Sequence, residues 1–241
     1  MFLIGFYFSK SFSQNLPPKS TTQSTTTSPG KNESGTTPTY IVEGMAKLTS
    51  NFVDRGLSFS DGNPAFNGAF LIGLGNQFSL GFWGSNVANI SNNEDNLWVK
   101  YVAEAKVDFL SNANAVFFFH DDHFYPSDLR NGQRYGMKLK YSRFKFFFEA
   151  QTNFEATGSS AFYTQAEFIK KYSDKYGLSL ALGYTYQNSN YYRDYIDSSA
   201  YIFFAPAKTV KLEAGLALPS NTYQFGSRST LHYSIGVSVF Y

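Results

Sequence analysis

Two of the chain's three histidines fall in His120-Asp121-Asp122-His123, where imidazoles and carboxylates could transfer a proton or hold a cation. Adjacent residues of an extended chain point to opposite faces, so His120 and His123 diverge unless the backbone bends. The run is read as the polar head of a loop. The third histidine, His232, lies close in sequence to Ser229 and Ser234. A Ser–His pair could cleave an acyl ester, but neither a strained nucleophile turn nor an orienting acid accompanies it. Gly73-Leu74-Gly75 is a turn that does not continue into a nucleotide-binding pattern. The absence of cysteine excludes a thiol nucleophile, a cysteine metal site, a disulfide framework and a lipoprotein anchor. With no catalytic motif left, the expectation is a non-enzyme without cofactor or metal.

The elements that carry these residues repeat every second position. From Thr230 to Tyr241, the residues Leu231, Tyr233, Ile235, Val237, Val239 and Tyr241 share one face, and small or polar residues share the other. The same alternation runs through Leu97–Phe109, Phe144–Gln151, Leu178–Gln187 and Val210–Leu218. It marks strands with one apolar and one polar environment. Their length, about ten residues, exceeds the usual five or six and suits a tilted crossing of a bilayer. Aromatics form 19% of the chain and charged residues only 16%. That mixture fits an apolar outer band around a polar lumen. No apolar run reaches the length of a transmembrane helix, and a net charge of +2 is too small to imply nucleic acid.

Twelve strands can be placed from Tyr40 onward, with ten or fourteen as the alternative counts. Long connections (54–63, 87–96, 120–132, 153–160, 187–198 and 219–228) alternate with short ones (75–77, 110–114, 141–143, 173–177 and 205–208). Long outer loops and short periplasmic turns are what an up-and-down, antiparallel transmembrane β-barrel requires. Closure leaves no backbone group unpaired at membrane depth. A soluble sandwich or lipocalin-like barrel would instead turn its large side chains inward and carry more charge on its polar face. The tenth strand, 198–204, alternates poorly. Residues 1–13 read as a short export signal, 14–38 as a disordered Ser/Thr/Pro-rich linker, and 39–241 as the barrel.

Parity places Lys47, Lys100, Lys106, Arg134, Lys138, Lys140, Lys145 and Lys211 in the lumen, with Glu104, Glu149, Glu167 and Glu213 among them. Glu43, Asp108 and Lys171 share that face. Arg134, Lys138, Lys140 and Lys145 make one wall basic, which would mildly favour anions in a water-filled pore. Pairs such as Lys47–Glu43 and Lys211–Glu213 could instead plug the lumen, since twelve strands lie between filled and open barrels. Trp83 falls on the lumenal face, and Arg55 could fold inward onto Asp54 or Asp61 and narrow the mouth.

Ser50, Phe52, Arg55, Gly56 and Ser58, followed by Asp61, Gly62, Pro64 and Ala65, resemble a motif of the TorF family of porins, also labelled Gcw_chp. That motif is Ser-x-Tyr-x-x-Arg-Gly-x-Ser followed by Asp-Gly-x-Pro-Ala, with Phe52 standing in the tyrosine place. Gly81-Phe-Trp-Gly-Ser-Asn-Val87 is similar to a second family segment, and Tyr125-Pro126 and Asp194-Tyr195 are weaker echoes. The resemblance implies a bacterial outer-membrane location and a porin-like role, and supplies no catalytic residues.

The expectation is a barrel that passes small polar solutes or ions by passive diffusion. Its partners would be outer-membrane lipid and lipopolysaccharide, the solutes themselves, and a periplasmic partner of the linker. The alternative is a non-conducting structural or adhesive barrel acting through outer loops such as Tyr191–Ile196, with an outer-membrane hydrolase ranked below it.

Overall fold

The computed structural model describes residues 40–88, 94–221 and 223–241, so the expected export signal and linker lie outside the described residues. Alternation translates into a closed antiparallel barrel of twelve strands. In chain order the first half comprises β1 (Tyr40–Thr49), β4 (Ala65–Leu74), β5 (Phe78–Asn86), β6 (Leu97–Leu110), β7 (Ala113–Tyr125) and β8 (Gly132–Tyr141). The second half comprises β9 (Phe144–Gln151), β10 (Ala161–Lys171), β11 (Tyr176–Gln187), β12 (Tyr195–Ala207), β13 (Val210–Pro219) and β14 (His232–Phe240). Between β1 and β4 lies a short hairpin, β2 (Val53–Asp54) and β3 (Leu57–Ser58), which among the described residues pairs only with itself. β1 closes the barrel: Lys47 stands opposite Ser238 of β14 on one side and Asn67 of β4 on the other.

The two faces invert the order of a soluble protein. Ile235 is 69% exposed and Ile202 63%, while Lys100, Glu149 and Ser238 point inward and are buried. Large apolar groups outside a closed barrel have lipid as their solvent. Tyr40, Tyr141, Tyr176 and Tyr241 ring the end with the short turns, and Tyr101, Tyr125, Tyr135 and Tyr184 ring the other; all are exposed. Tyrosine suits these positions because its ring is apolar and its hydroxyl wants water.

The long and short connections alternate as the pattern requires, with two boundaries corrected. The third outer connection was expected from His120, but β7 runs on to Tyr125 and leaves only 126–131 as loop. The polar run belongs in the strand because its alternate members have partners on opposite faces. Asp122 turns inward to Trp98 and Arg134, while His123 turns outward to Asp121 at 2.9 Å. β12 is also longer than 198–204, spanning Tyr195–Ala207. Its alternation reads poorly because the inward positions Tyr195 and Tyr201 are themselves large and aromatic, and because the ladder shifts register after Phe204.

Candidate functional site

The first outer connection does not stay outside. Residues 51–60 are all buried, which places the β2–β3 hairpin within the barrel. It springs from the junction of β1 and β4, and the strand order puts β9 and β10 diametrically opposite that junction. Its tip reaches them. Arg55 and Gly56 carry φ of 50° and 75°, the pair of positive values that a tight two-residue hairpin turn requires. The Arg55 guanidinium is ion-paired to Glu149 of β9, donates to the Gln151 side-chain oxygen at 3.2 Å, and lies 4.6 Å from the ring centre of Tyr163 on β10. The hairpin therefore spans the lumen from wall to wall.

The tip is held by charge. Asp54 lies 3.8 Å from Arg55 and 3.5 Å from Arg134 of β8. Arg134 also contacts Glu149 at 3.5 Å and pairs with Asp122 through its Nε. Lys100 stands directly across from Asp122 in the β6–β7 register. Arg55, Arg134 and Lys100 thus balance Asp54, Asp122 and Glu149, and a buried cluster of this kind persists only when its charges match.

The flanks of the hairpin are held by rings. Phe52 lies 5.6 Å from Trp83 and 6.0 Å from Trp98, and Phe59 lies 5.2 Å from Trp98. Trp98 is completely buried and stacks on Phe124 at 4.9 Å. Its Nε1 donates to Asp122 at 3.1 Å, and the Lys100 and Arg134 cations lie 4.7 and 4.8 Å from its ring. Trp98 therefore joins the aromatic and ionic parts of the site. Trp98→Ala is expected to lower barrel stability by about 3–5 kcal/mol, because it opens a cavity and strips Asp122 of a donor. Urea unfolding of the protein in lipid vesicles measures this.

A second clamp lies toward the outer side. Glu155 accepts from Arg228 at 2.8 and 3.2 Å and from Arg130 at 3.4 Å. Both guanidiniums also lie against Phe59, Arg130 at 5.0 Å and Arg228 at 4.9 Å, and Arg228 donates to the Ser58 carbonyl of β3 at 3.0 Å. Burial alone would raise the Glu155 carboxyl, but Arg228 and Arg130 outweigh it and hold the group at about 2. Between this clamp and the tip is a pocket, lined by Arg55, Arg130, Tyr195 and their neighbours, with room for about one water.

Toward the periplasm the lumen is different. Glu43, Lys106, Lys140, Lys145 and Lys211 are partly accessible, and Asp108 and Lys171 are exposed. Lys145 pairs with Glu167 at 3.1 Å, Lys211 with Glu213 at 2.9 Å and Lys106 with Asp108 at 2.9 Å. Lys140 stands directly opposite Lys145 in the β8–β9 register. Deeper in, Lys138 donates to Glu104 at 2.7 Å. Lys47, expected beside Glu43, instead reaches across β14 to Glu213. In the expected basic stripe, Arg134, Lys138 and Lys145 carry carboxylate partners.

Trp83 lies in the lumenal aromatic cluster, and Asp61 stays exposed at the outer mouth, where Ser227 donates to it at 2.8 Å. The histidines do not converge. His120 stacks on Phe118 at 4.6 Å inside the barrel, while His123 faces out. His232 is engaged by Asn51 at 3.4 Å and by the Arg228 carbonyl at 2.7 Å, while Ser234 and Ser229 bond to other groups. Sequence reasoning passed over Glu155, Arg130 and Arg228 as site residues, and it placed Asp122 in a loop rather than in the lumenal cluster. The one legible signal of that cluster was the placing of Trp98 and Asp122 at lumenal parity beside Trp83 and Lys100.

No family model and no curated protein matches the chain. Solved structures do match in fold. The NanC porin superposes with a TM-score of 0.56 at 6% identity, over 83% of this chain and 99% of that one. The KdgM porin in complex with disordered oligogalacturonate gives 0.54 at 10% identity, over 83% and 98%. Closed topology, lipid-facing apolar surface and this likeness agree: the chain is a twelve-stranded antiparallel β-barrel of the bacterial outer membrane.

Proposed function

We propose that this barrel is a porin-like channel that passes small polar solutes or ions, and that it is a member of the TorF family its loop motif resembles. The observation that carries the reading is the lumen itself. A barrel that served only as an anchor could fill its interior with apolar side chains. Here the inner half carries lysines and carboxylates in contact with water, and the outer half is spanned by a hairpin whose tip is charged. Motif residues Arg55 and Trp83 both belong to that arrangement.

Lys140 and Lys145 stand opposite each other at the inner end, with Lys171 and Lys211 on the same lumenal face. Glu167 and Glu213, the partners of Lys145 and Lys211, cancel part of this charge, which leaves a weak preference for anions. The acidic sugar chain in the KdgM complex has the charge this mouth would accept. Single-channel recording in a planar bilayer under a salt gradient tests both points. The expected result is discrete steps with a reversal potential on the anion side, which moves to the cation side in Lys140→Glu/Lys145→Glu. A folded, inserted barrel that stays silent with its hairpin shortened would overturn the channel reading. The adhesive alternative would then gain weight from Tyr191 and Tyr223, which stand 78% and 96% exposed on the outer loops.

A further inference from the structure

A channel whose lumen is crossed by its own chain must either conduct around the obstacle or move it. We propose that the β2–β3 hairpin is a displaceable plug, latched at its tip by Arg55 on Glu149 and released as a unit toward the outer side. This rests on the porin-like reading and adds a gate to it.

Three observations carry the proposal. The hairpin is not part of the wall: among the described residues β2 pairs only with β3, while β1 completes the barrel through β14 and β4 without it. Its departure therefore breaks no rung of the barrel ladder, and the closed sheet that the membrane demands survives. The tip is bound to the far wall through side chains, chiefly the ion pairs of Arg55 and Asp54. Such contacts exchange for hydration when the groups reach water, so a charged tip leaves far more readily than an apolar one. Finally, the two-residue turn, with φ 50° at Arg55, sets a long cation at the tip, where it reaches the carboxylate of the far wall. A loop that needed only to fill space would have no use for it.

The attachment of the hairpin sets the direction of travel, and the outer clamp must open together with the latch. Arg228 and Arg130 grip Phe59 and the Ser58 carbonyl from the outer side, and the Ala88 N–H donates to the Phe59 carbonyl at 2.7 Å. Both ends of the hairpin join the outer ends of β1 and β4. Withdrawal toward that side needs no rearrangement of the strands, whereas the periplasmic direction would drag Phe52 and Phe59 past the lysine-lined half.

The chain lacks cysteine, so one engineered pair can lock the hairpin without competing thiols. A Cβ placed on Gly56 lies 3.2 Å from the Cβ of Pro219, a little short of the usual separation of about 3.5–4.5 Å in a disulfide, and 2.9 Å from the Cβ of Asp197, so the turn must back off slightly to seat the bond. The test is Gly56→Cys/Pro219→Cys, refolded and recorded in a planar bilayer first oxidised and then after reduction of the same membrane. Cysteine at this positive φ lowers stability in both states, so comparing the two states cancels that effect. A companion variant replaces residues 52–59 by a Gly-Ser linker, and far-UV circular dichroism checks the strand content of each. The expected result is loss of openings on oxidation, their return on reduction, and long-lived opening of the shortened barrel. Equal conduction by oxidised and reduced protein would overturn the gate and leave the porin reading standing. Silence in both states would also overturn the gate. The shortened barrel would then decide the rest: conduction means the hairpin is a fixed plug, and silence removes the porin reading too.

Discussion

Replacing Glu149 with alanine is expected to destabilise the barrel by about 3–5 kcal/mol, the range for removing one partner of a buried ion pair. Glu149 is the carboxylate on which the cations of the hairpin and the wall converge: Arg55 pairs with it directly and Arg134 contacts it at 3.5 Å. Its side chain is fully buried, and those of Arg55 and Arg134 are 4% and 3% exposed. The substitution would leave two guanidiniums facing each other, with only Asp54 and Asp122 to balance them. The double variant Glu149→Ala/Arg55→Ala should recover part of the loss, because the cation that lost its partner is gone as well. A double-mutant cycle by urea unfolding in vesicles measures the coupling. Additive single effects would mean that the tip and the wall do not act as a unit.

Acid should weaken the outer clamp. The folded Glu155 carboxyl titrates at about 2 against an ordinary 4.5, the net result of burial opposed by Arg228 and the more distant Arg130. A group whose folded value is depressed adds stability that is fully present above pH 4.5 and is lost as pH falls toward 2. The difference corresponds to about 3 kcal/mol. Other carboxylates of the barrel contribute in the same direction, so the test is a difference between two proteins. The stability of the parent should fall more steeply between pH 5 and about 2.5 than that of Glu155→Gln, which has no proton to take up there. Parallel curves would show that Glu155 does not clamp the loops.

How far the sequence led can be read from particular residues. Leu231, Tyr233 and Ile235 faced lipid as their parity required, and Lys47, Glu149 and Lys211 faced inward, because a strand offers only two sides. The twelve-strand count followed from the same rule and from the alternation of loop lengths. Pairing was another matter. Lys47 chose Glu213 rather than Glu43, and Arg55 chose Glu149 together with Asp54 rather than Asp61. Partners on different strands depend on shear and register, which local alternation does not encode. The run from His120 to His123 misled because a polar cluster resembles a loop until its lumenal partners are known.

By itself, the sequence determined a closed β-barrel with an apolar exterior and a charged interior, since period-two patterning and bilayer hydrogen bonding leave no other arrangement. Only the tertiary structure decided that the first outer loop enters the lumen. Residues 51–60 carry no alternation strong enough to announce burial, and their place is set by partners far away in the chain: Glu149, Arg228 and the Trp83–Trp98 pair. Whether a loop lies over a barrel or within it depends on charges and rings that meet only once the wall has closed.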